Sequence, residues 1–350
     1  MTDDRKVGAT AFFPGLESLR GVAALAIAIY HISWQTHLGP MHFAPLLVDF
    51  FFVLSGFVMI HTYRSRLESL AAVRKFLTLR LGRLYPLHLA TLLCWLLIEL
   101  AKRAAASGGI EVAPGERTVG SFIANLLLIH ALGPFNGAQW NVPSWSISAE
   151  FWAYVVFAAV CRRAVFAAAC VLAFIGLAVC WSTTGDLSSI EIYAFPRCLF
   201  GFFSGVLGWR IYSTLVERKI KVAAYWPVAI AVGSAVFLIS KKSGLEDFLA
   251  VPIFMLLIVF VALSNAFNQR RLVAIGTISY SIYMVHPLVM FTFEFVLQYL
   301  LKVRRDVYYQ VGPFIGDGLV IVYVAVVLLV SRWTYVHIED RFRKLVAARA

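Results

Sequence analysis

Ala44-Pro-Leu-Leu-Val-Asp49-Phe-Phe-Phe-Val-Leu-Ser55-Gly-Phe-Val-Met-Ile-His-Thr62 decides the class of this protein. The stretch is almost unbroken hydrocarbon. At about 1.5 Å per residue its length matches a bilayer core of about 30 Å. Its one carboxylate, Asp49, lies inside the run, where an ionised side chain costs several kcal/mol unless it is paired or wet. It reads as a spanning helix with an acid that needs a partner or water.

Comparable stretches recur along the chain, at residues 16 to 37, 44 to 62, 81 to 101, 144 to 161, 164 to 181, 192 to 212, 223 to 240, 248 to 267, 272 to 300 and 315 to 337. Of 350 residues, 61% are hydrophobic and 14% charged, and no interval is long enough for a soluble domain. The expected fold is all-α, a polytopic membrane helical bundle of about ten transmembrane helices. Val119 to Leu132 is too short before Gly133-Pro134 to cross and reads as an interfacial or re-entrant helix. With that segment not crossing and the N-terminus cytoplasmic, roughly 20 Lys and Arg fall inside against roughly 8 outside. Both termini are then cytoplasmic. The domains follow as an N-terminal tail over 1–15, a membrane domain over 16–338 and a C-terminal tail over 339–350.

The formal charge of +12 is explained by positive cytoplasmic loops, so nucleic acid is not an expected partner. The five cysteines fall in or beside apolar segments without metal or redox spacing and read as packing residues. Met1 to Pro14 holds Asp3, Asp4, Arg5 and Lys6 and leads into an apolar run without a cleavage pattern, so no signal peptide is expected to be removed. No internal repeat of the kind transporters carry is visible.

Ionisable residues at bilayer depth are the functional candidates. Arg20 and His31 are 11 residues apart, which returns them to within about 20° of one helix face, about 16 Å apart along the axis. The bland alternative is an arginine reaching lipid headgroups and a satisfied packing histidine. Counted from the expected span ends, His31, Asp49 and Glu150 fall near one outer level, and a straight ninth helix brings His286 close to it, with Pro287 a source of bending. A histidine beside carboxylates is the usual arrangement for drawing a proton from a hydroxyl. Arg80 and Arg83, at i and i+3 on one face of the third span's inner mouth, have the geometry for phosphate, although headgroup contact explains them as well. Ser55 reads as packing glue beside Gly56. Trp140-Asn-Val-Pro-Ser-Trp145 reads as an interfacial loop whose tryptophans are belt anchors by default, or a platform for a sugar face.

The order of these motifs resembles the acyltransferase-3 family of bacterial membrane O-acyltransferases. The resemblance runs through Arg20 to His31, Asp49-Phe-Phe-Phe-Val-Leu-Ser-Gly-Phe57, Arg80-Leu-Gly-Arg83 with Pro86, Trp145-Ser-Ile-Ser-Ala-Glu150 and Ile278-Ser-Tyr-Ser-Ile-Tyr-Met-Val-His286. Glu339-Asp-Arg341 departs from the family pattern and receives no role. No extracytoplasmic hydrolase-like domain is expected to follow.

The resemblance implies transfer of an acyl group, acetyl by family habit, from cytoplasmic acyl-CoA to a hydroxyl of a sugar acceptor such as exopolysaccharide, O-antigen or a lipid-linked glycan. It implies Arg20, Arg80 and Arg83 on the donor. His31 acts as general base or transient acyl carrier, oriented by Glu150 or Asp49, and Trp145 and His286 lie on the acceptor side. No permanently bound cofactor or metal is expected. Membrane lipids are partners, and the location is the bacterial cytoplasmic membrane. The rival from another class is a transporter or flippase for a glycan or lipid-linked sugar, with the same charges forming a proton-coupled path.

Overall fold

The computed structural model describes residues 12–32, 43–107, 117–133, 139–161, 164–187, 193–240, 244–300, 302 and 312–350. Its elements are helices, with no strand among the described residues. In chain order they are α1 (Pro14–Tyr30), α2 (Leu47–Tyr63), α3 (Leu70–Ser107), α4 (Val119–Leu126), α5 (Ser144–Val160), α6 (Val165–Thr183), α7 (Ala194–Glu217), α8 (Tyr225–Ser240), α9 (Ala250–Ala262), α10 (Arg270–Thr277), α11 (Ser279–Phe295), α12 (Pro313–Thr334) and α13 (Asp340–Arg349). Short 3-10 turns precede α2 and α9, and π-turns follow α11 and α12.

Among the described residues, seven helical stretches are long and apolar enough to cross a membrane: Ala44–Tyr63, Leu70–Ala104, Val165–Thr183, Ala194–Glu217, Leu245–Ala262, Ser279–Gln298 and Pro313–Arg349. Ser144–Val160 and Tyr225–Ser240 are apolar but shorter, and α1 has 17 residues. The ten expected spans coincide with these elements, but seven rather than ten meet both criteria. Large apolar side chains such as Leu97, Phe174, Ile239, Ile321 and Leu329 face outward. A lipid-facing bundle shows this pattern, because its helices satisfy their own backbone and need no polar outer face.

Small residues set the helix spacing at two crossings. A Cβ on Gly56 would lie 1.8 Å from the Phe202 carbonyl oxygen, and one on Gly205 would lie 1.9 Å from that of Val53, so α2 and α7 touch backbone to backbone. A Cβ on Gly276 would meet the Glu17 carbonyl oxygen at 1.9 Å, which brings the start of α1 against α10.

Several boundaries move from those expected. α1 stops at Tyr30, with His31 as its C-cap, so His31 sits at a helix end rather than about six residues inside a longer span. Residues 33–37 of that expected span lie outside the described residues. The long ninth span divides at Ile278 into α10 and α11. α4 has only 8 residues, closed by a capping box between Thr118 and Ser121.

The chain after α4 is a buried polar knot. The Asn141 amide nitrogen lies 2.8 Å from the Thr91 hydroxyl and 3.2 Å from His88 Nδ1, and Ser144 Oγ lies 3.1 Å from His130 Nε2. The Trp140 indole donates to Ser121 Oγ at 2.9 Å. Trp140 and Trp145 are both 4% exposed, so neither is an interfacial anchor. Their polar surroundings answer the need of buried backbone for partners. At the other end of the chain, the stretch 339–350 read as a tail is helical. Its Val346 side chain closes on Gly82 of α3.

Candidate functional site

One end of the bundle encloses a cavity of about 450 Å³. The starts of α1 and α11, α2 along nearly its whole length from Val48 to Tyr63, the first half of α3, the first turns of α5, the end of α10, the π-turn after α12 and the start of α13 surround it. Phe12 and Arg343, close to the two described ends of the chain, both line it. Four guanidinium groups reach it, from Arg20, Arg80, Arg83 and Arg343, together with the carboxylates of Glu17, Glu150 and Glu339.

The helical i, i+3 spacing of Arg80 and Arg83 puts both on the cavity wall. Arg80 Nη2 donates to the Tyr63 hydroxyl at 2.9 Å, with the guanidinium over the Tyr63 and Phe76 rings at 5.3 and 5.9 Å. These aromatic faces hold a cation without neutralising it. Arg83 shares the cavity wall with Glu339, Glu17 and Glu150 and donates none of the hydrogen bonds found among the described residues. Arg20 Nη1 bonds Glu17 Oε1 at 3.0 Å, and Arg343 pairs with Asp340.

Each acid on the deeper wall has a specific donor. Tyr154 donates to Glu150 Oε1 at 2.6 Å, and Ser55 Oγ, 2.9 Å from the Tyr154 hydroxyl, completes a relay from α2 to α5. Ser281 Oγ donates to Glu339 Oε2 at 2.9 Å. At the inner limit the Tyr283 hydroxyl and Ser146 Oγ are 2.9 Å apart, which joins α11 to α5.

His286 lies one turn beyond Tyr283, and its ring centroid is 4.9 Å from that of His31. The same backbone device fixes both rings. α1 ends at Tyr30, and the His31 amide turns to Ile29, so the Ile27 carbonyl lacks its helical donor; His31 Nδ1–H supplies one at 2.8 Å. Pro287 has no N–H, so the Tyr283 carbonyl lacks its donor; His286 Nδ1–H supplies one at 2.7 Å. A carbonyl only accepts, so in each ring the lone pair is on Nε2.

The sequence-derived candidates therefore separate into three places. Arg20, Arg80, Arg83 and Glu150 share the cavity. His31 and His286 form a pair beyond it and do not line it. Asp49 and Trp145 belong to neither. The Asp49 carboxylate is bound by Arg197 through Nε at 3.0 Å and Nη2 at 2.7 Å, and Nη2 also donates to the Pro45 carbonyl at 2.9 Å. The guanidinium lies over the Trp145 ring at 5.3 Å. The expected contact of Asp49 with His31 is thus replaced by a closed pin between α2 and α7. Trp145, expected on the acceptor side, is the buried floor of that pin. Glu150 does not orient His31 either, since its partner is Tyr154.

Sequence reasoning missed Arg197 and Tyr154, held Ser281 and Tyr283 only as part of the resemblance without a role, passed over Glu339 and read Ser55 only as packing. Arg197 alone carried a clear signal, an arginine inside an apolar span that required an acid elsewhere in the bundle. No group of three or more His, Cys, Asp or Glu among the described residues could hold a metal ion.

The family model described as "Acyltransferase domain" matches residues 13–335. The chain is 32% identical over 156 residues to "Acyltransferase MdmB" of Streptomyces mycarofaciens, a match covering 41% of this chain and 38% of that protein. It is 34% identical over 156 residues to "Protein 2 in picA locus" of Rhizobium radiobacter, covering 41% of this chain and 79% of that protein. The matched stretch thus spans well under half of the first relative. No solved structure matches.

Proposed function

The chain belongs to the acyltransferase-3 family, and from that premise we propose that it is a membrane O-acyltransferase that moves acetyl from cytoplasmic acyl-CoA to a hydroxyl of a glycan acceptor. The cavity carries this reading. Four arginines converge on one cavity, and Arg83 among them donates no hydrogen bond among the described residues, an arrangement suited to a polyanionic donor. Arg80 and Arg83 take the donor's phosphates, and Arg20 stands farther along the wall toward the histidines. The positive-inside balance supports a cytoplasmic mouth, on the same side as both termini, in a bacterial inner membrane.

The thioester has to travel past Tyr283 and Ser146 to reach His31, so their hydrogen bond opens during turnover. At His31 the free Nε2 lone pair takes the acceptor's proton. The acceptor oxygen forms the new C–O bond, the C–S bond breaks, and the proton returns to sulfur. The same nitrogen serves a route through a transient acyl-histidine. Glu150 and Glu339, held by Tyr154 and Ser281, line the donor's cavity rather than acting on the histidine.

Vesicles carrying the full chain, given labelled acetyl-CoA, are expected to place label on a membrane glycan. His31→Ala is expected to lower that rate by about 10²–10⁴-fold while the protein stays folded. Label transfer at the wild-type rate by the variant sinks the role of His31. Glycan translocation without labelling selects the carrier reading instead.

A further inference from the structure

We propose that His286 is a positioning residue for acyl transfer, whose Nε2 accepts a hydrogen bond from the proton that His31 Nε2 takes from the acceptor hydroxyl. The inference rests on the acyl-transfer reading above. One proton is then held between two imidazoles.

The observation behind it is an unsatisfied nitrogen. His286 is 1% exposed, and its Nε2 has no hydrogen-bond partner. A buried polar atom without a partner costs free energy and calls for a reason. The ring cannot flip to escape, because Nδ1–H is committed to the carbonyl that Pro287 frees. Opposite stands His31, also with Nδ1–H committed and its lone pair on Nε2. Two lone pairs make no hydrogen bond with each other, which accounts for the orphan in the resting state. A proton arriving on His31 converts that pair into donor and acceptor, and with ring centroids 4.9 Å apart a small shift of His31, at the end of α1, carries its new N–H from the acceptor oxygen onto His286 Nε2.

The helices are locked together at this point. The Tyr323 hydroxyl of α12 lies 3.2 Å from the His286 carbonyl and 3.4 Å from that of Ala28. The titratable groups around the pair are Tyr30, Tyr283 and Tyr323, and no carboxylate bonds either ring among the described residues. His286 therefore does for His31 what an acid was expected to do. It stabilises the imidazolium without gaining or losing a covalent bond. In the step itself the acceptor O–H breaks and an N–H forms on His31, the C–O bond forms, and the C–S bond breaks with its electron pair on sulfur. The thiolate then takes the proton from His31.

Inside-out vesicles with the full chain test this with acetyl-CoA as the probe, read by thiol release and by acetyl label on membrane glycan. His286→Gln keeps an acceptor oxygen, and His286→Met keeps the volume without one. The glutamine variant is expected within about tenfold of the wild-type kcat and the methionine variant about 100-fold below it, with the acetyl-CoA KM unchanged in both. A methionine variant as active as the glutamine variant, or a loss confined to KM, overturns the pairing. If the methionine variant does not accumulate folded, His286→Asn replaces it, since its shorter amide cannot reach His31 and is expected to be equally slow. Wild-type vesicles that release no thiol above empty vesicles overturn the acyl-transfer reading together with the pair. Active wild type with insensitive variants overturns the pair alone.

Discussion

The Asp49–Arg197 pin and the arginine-lined cavity are both clusters of charge inside an apolar bundle, and they differ in what their partners leave over. In the pin one carboxylate meets one guanidinium through two hydrogen bonds, a carbonyl takes a further one and an indole covers the face, while Nη1 is buried without a hydrogen-bond partner among the described residues. Both side chains are at most 1% exposed. In the cavity Arg20 and Arg343 are paired with Glu17 and Asp340, whereas Arg83 stands beside open volume and donates no hydrogen bond among the described residues. An ion pair shut away from any cavity holds helices together, whereas a guanidinium beside open volume is available to a ligand.

The pin offers the largest test of that contrast. Asp49→Ala leaves Arg197 buried without its acid, and a loss of about 3–5 kcal/mol is expected in detergent unfolding measurements. Asp49→Leu with Arg197→Met is expected to recover most of the loss, because two apolar side chains remove the uncompensated charge. A stable Asp49→Ala protein that has lost only turnover would move Asp49 back into the site.

The cavity should respond in the opposite way, with function changing and stability hardly so. Arg83→Ala is expected to raise the acetyl-CoA KM about ten- to a hundredfold, the size of a lost charge-assisted contact of about 1.5–3 kcal/mol. Unchanged donor saturation curves remove Arg83 from the donor's path. Tyr154→Phe takes the hydroxyl from Glu150 and should lower turnover about fivefold, equivalent to about 1 kcal/mol. An unfolding midpoint that falls with it marks the relay as packing. Ser55→Ala, one step farther from the acid, is expected to cost about twofold, close to what a rate assay resolves.

Legibility in the sequence followed the range of the physics. Apolar runs of bilayer length located the helices, and the shortness of Val119 to Leu132 was visible because length alone excludes a crossing. Helix ends were poorly visible. Nothing local to Tyr30 announces that α1 stops there, nor Ile278 that α10 and α11 part. Depth counted from those ends therefore put His31, Asp49 and Glu150 on one level, while the structure divides them among three environments. The partner of Asp49 is 148 residues away. Glu339 gains its place because a π-turn after α12 aims it at Ser281.

By itself the sequence determined the solvent of this protein, the helical class of its fold, the family to which it belongs and the residue types available for chemistry. Those depend on composition and on periods of a few residues, which a chain carries without folding. Which charges are spent on each other, which remain free around the cavity, and that His31 faces a second imidazole rather than a carboxylate were decided only by tertiary structure. Pairing depends on distances between helices, and those are set by glycine contacts and freed carbonyls far apart in the chain.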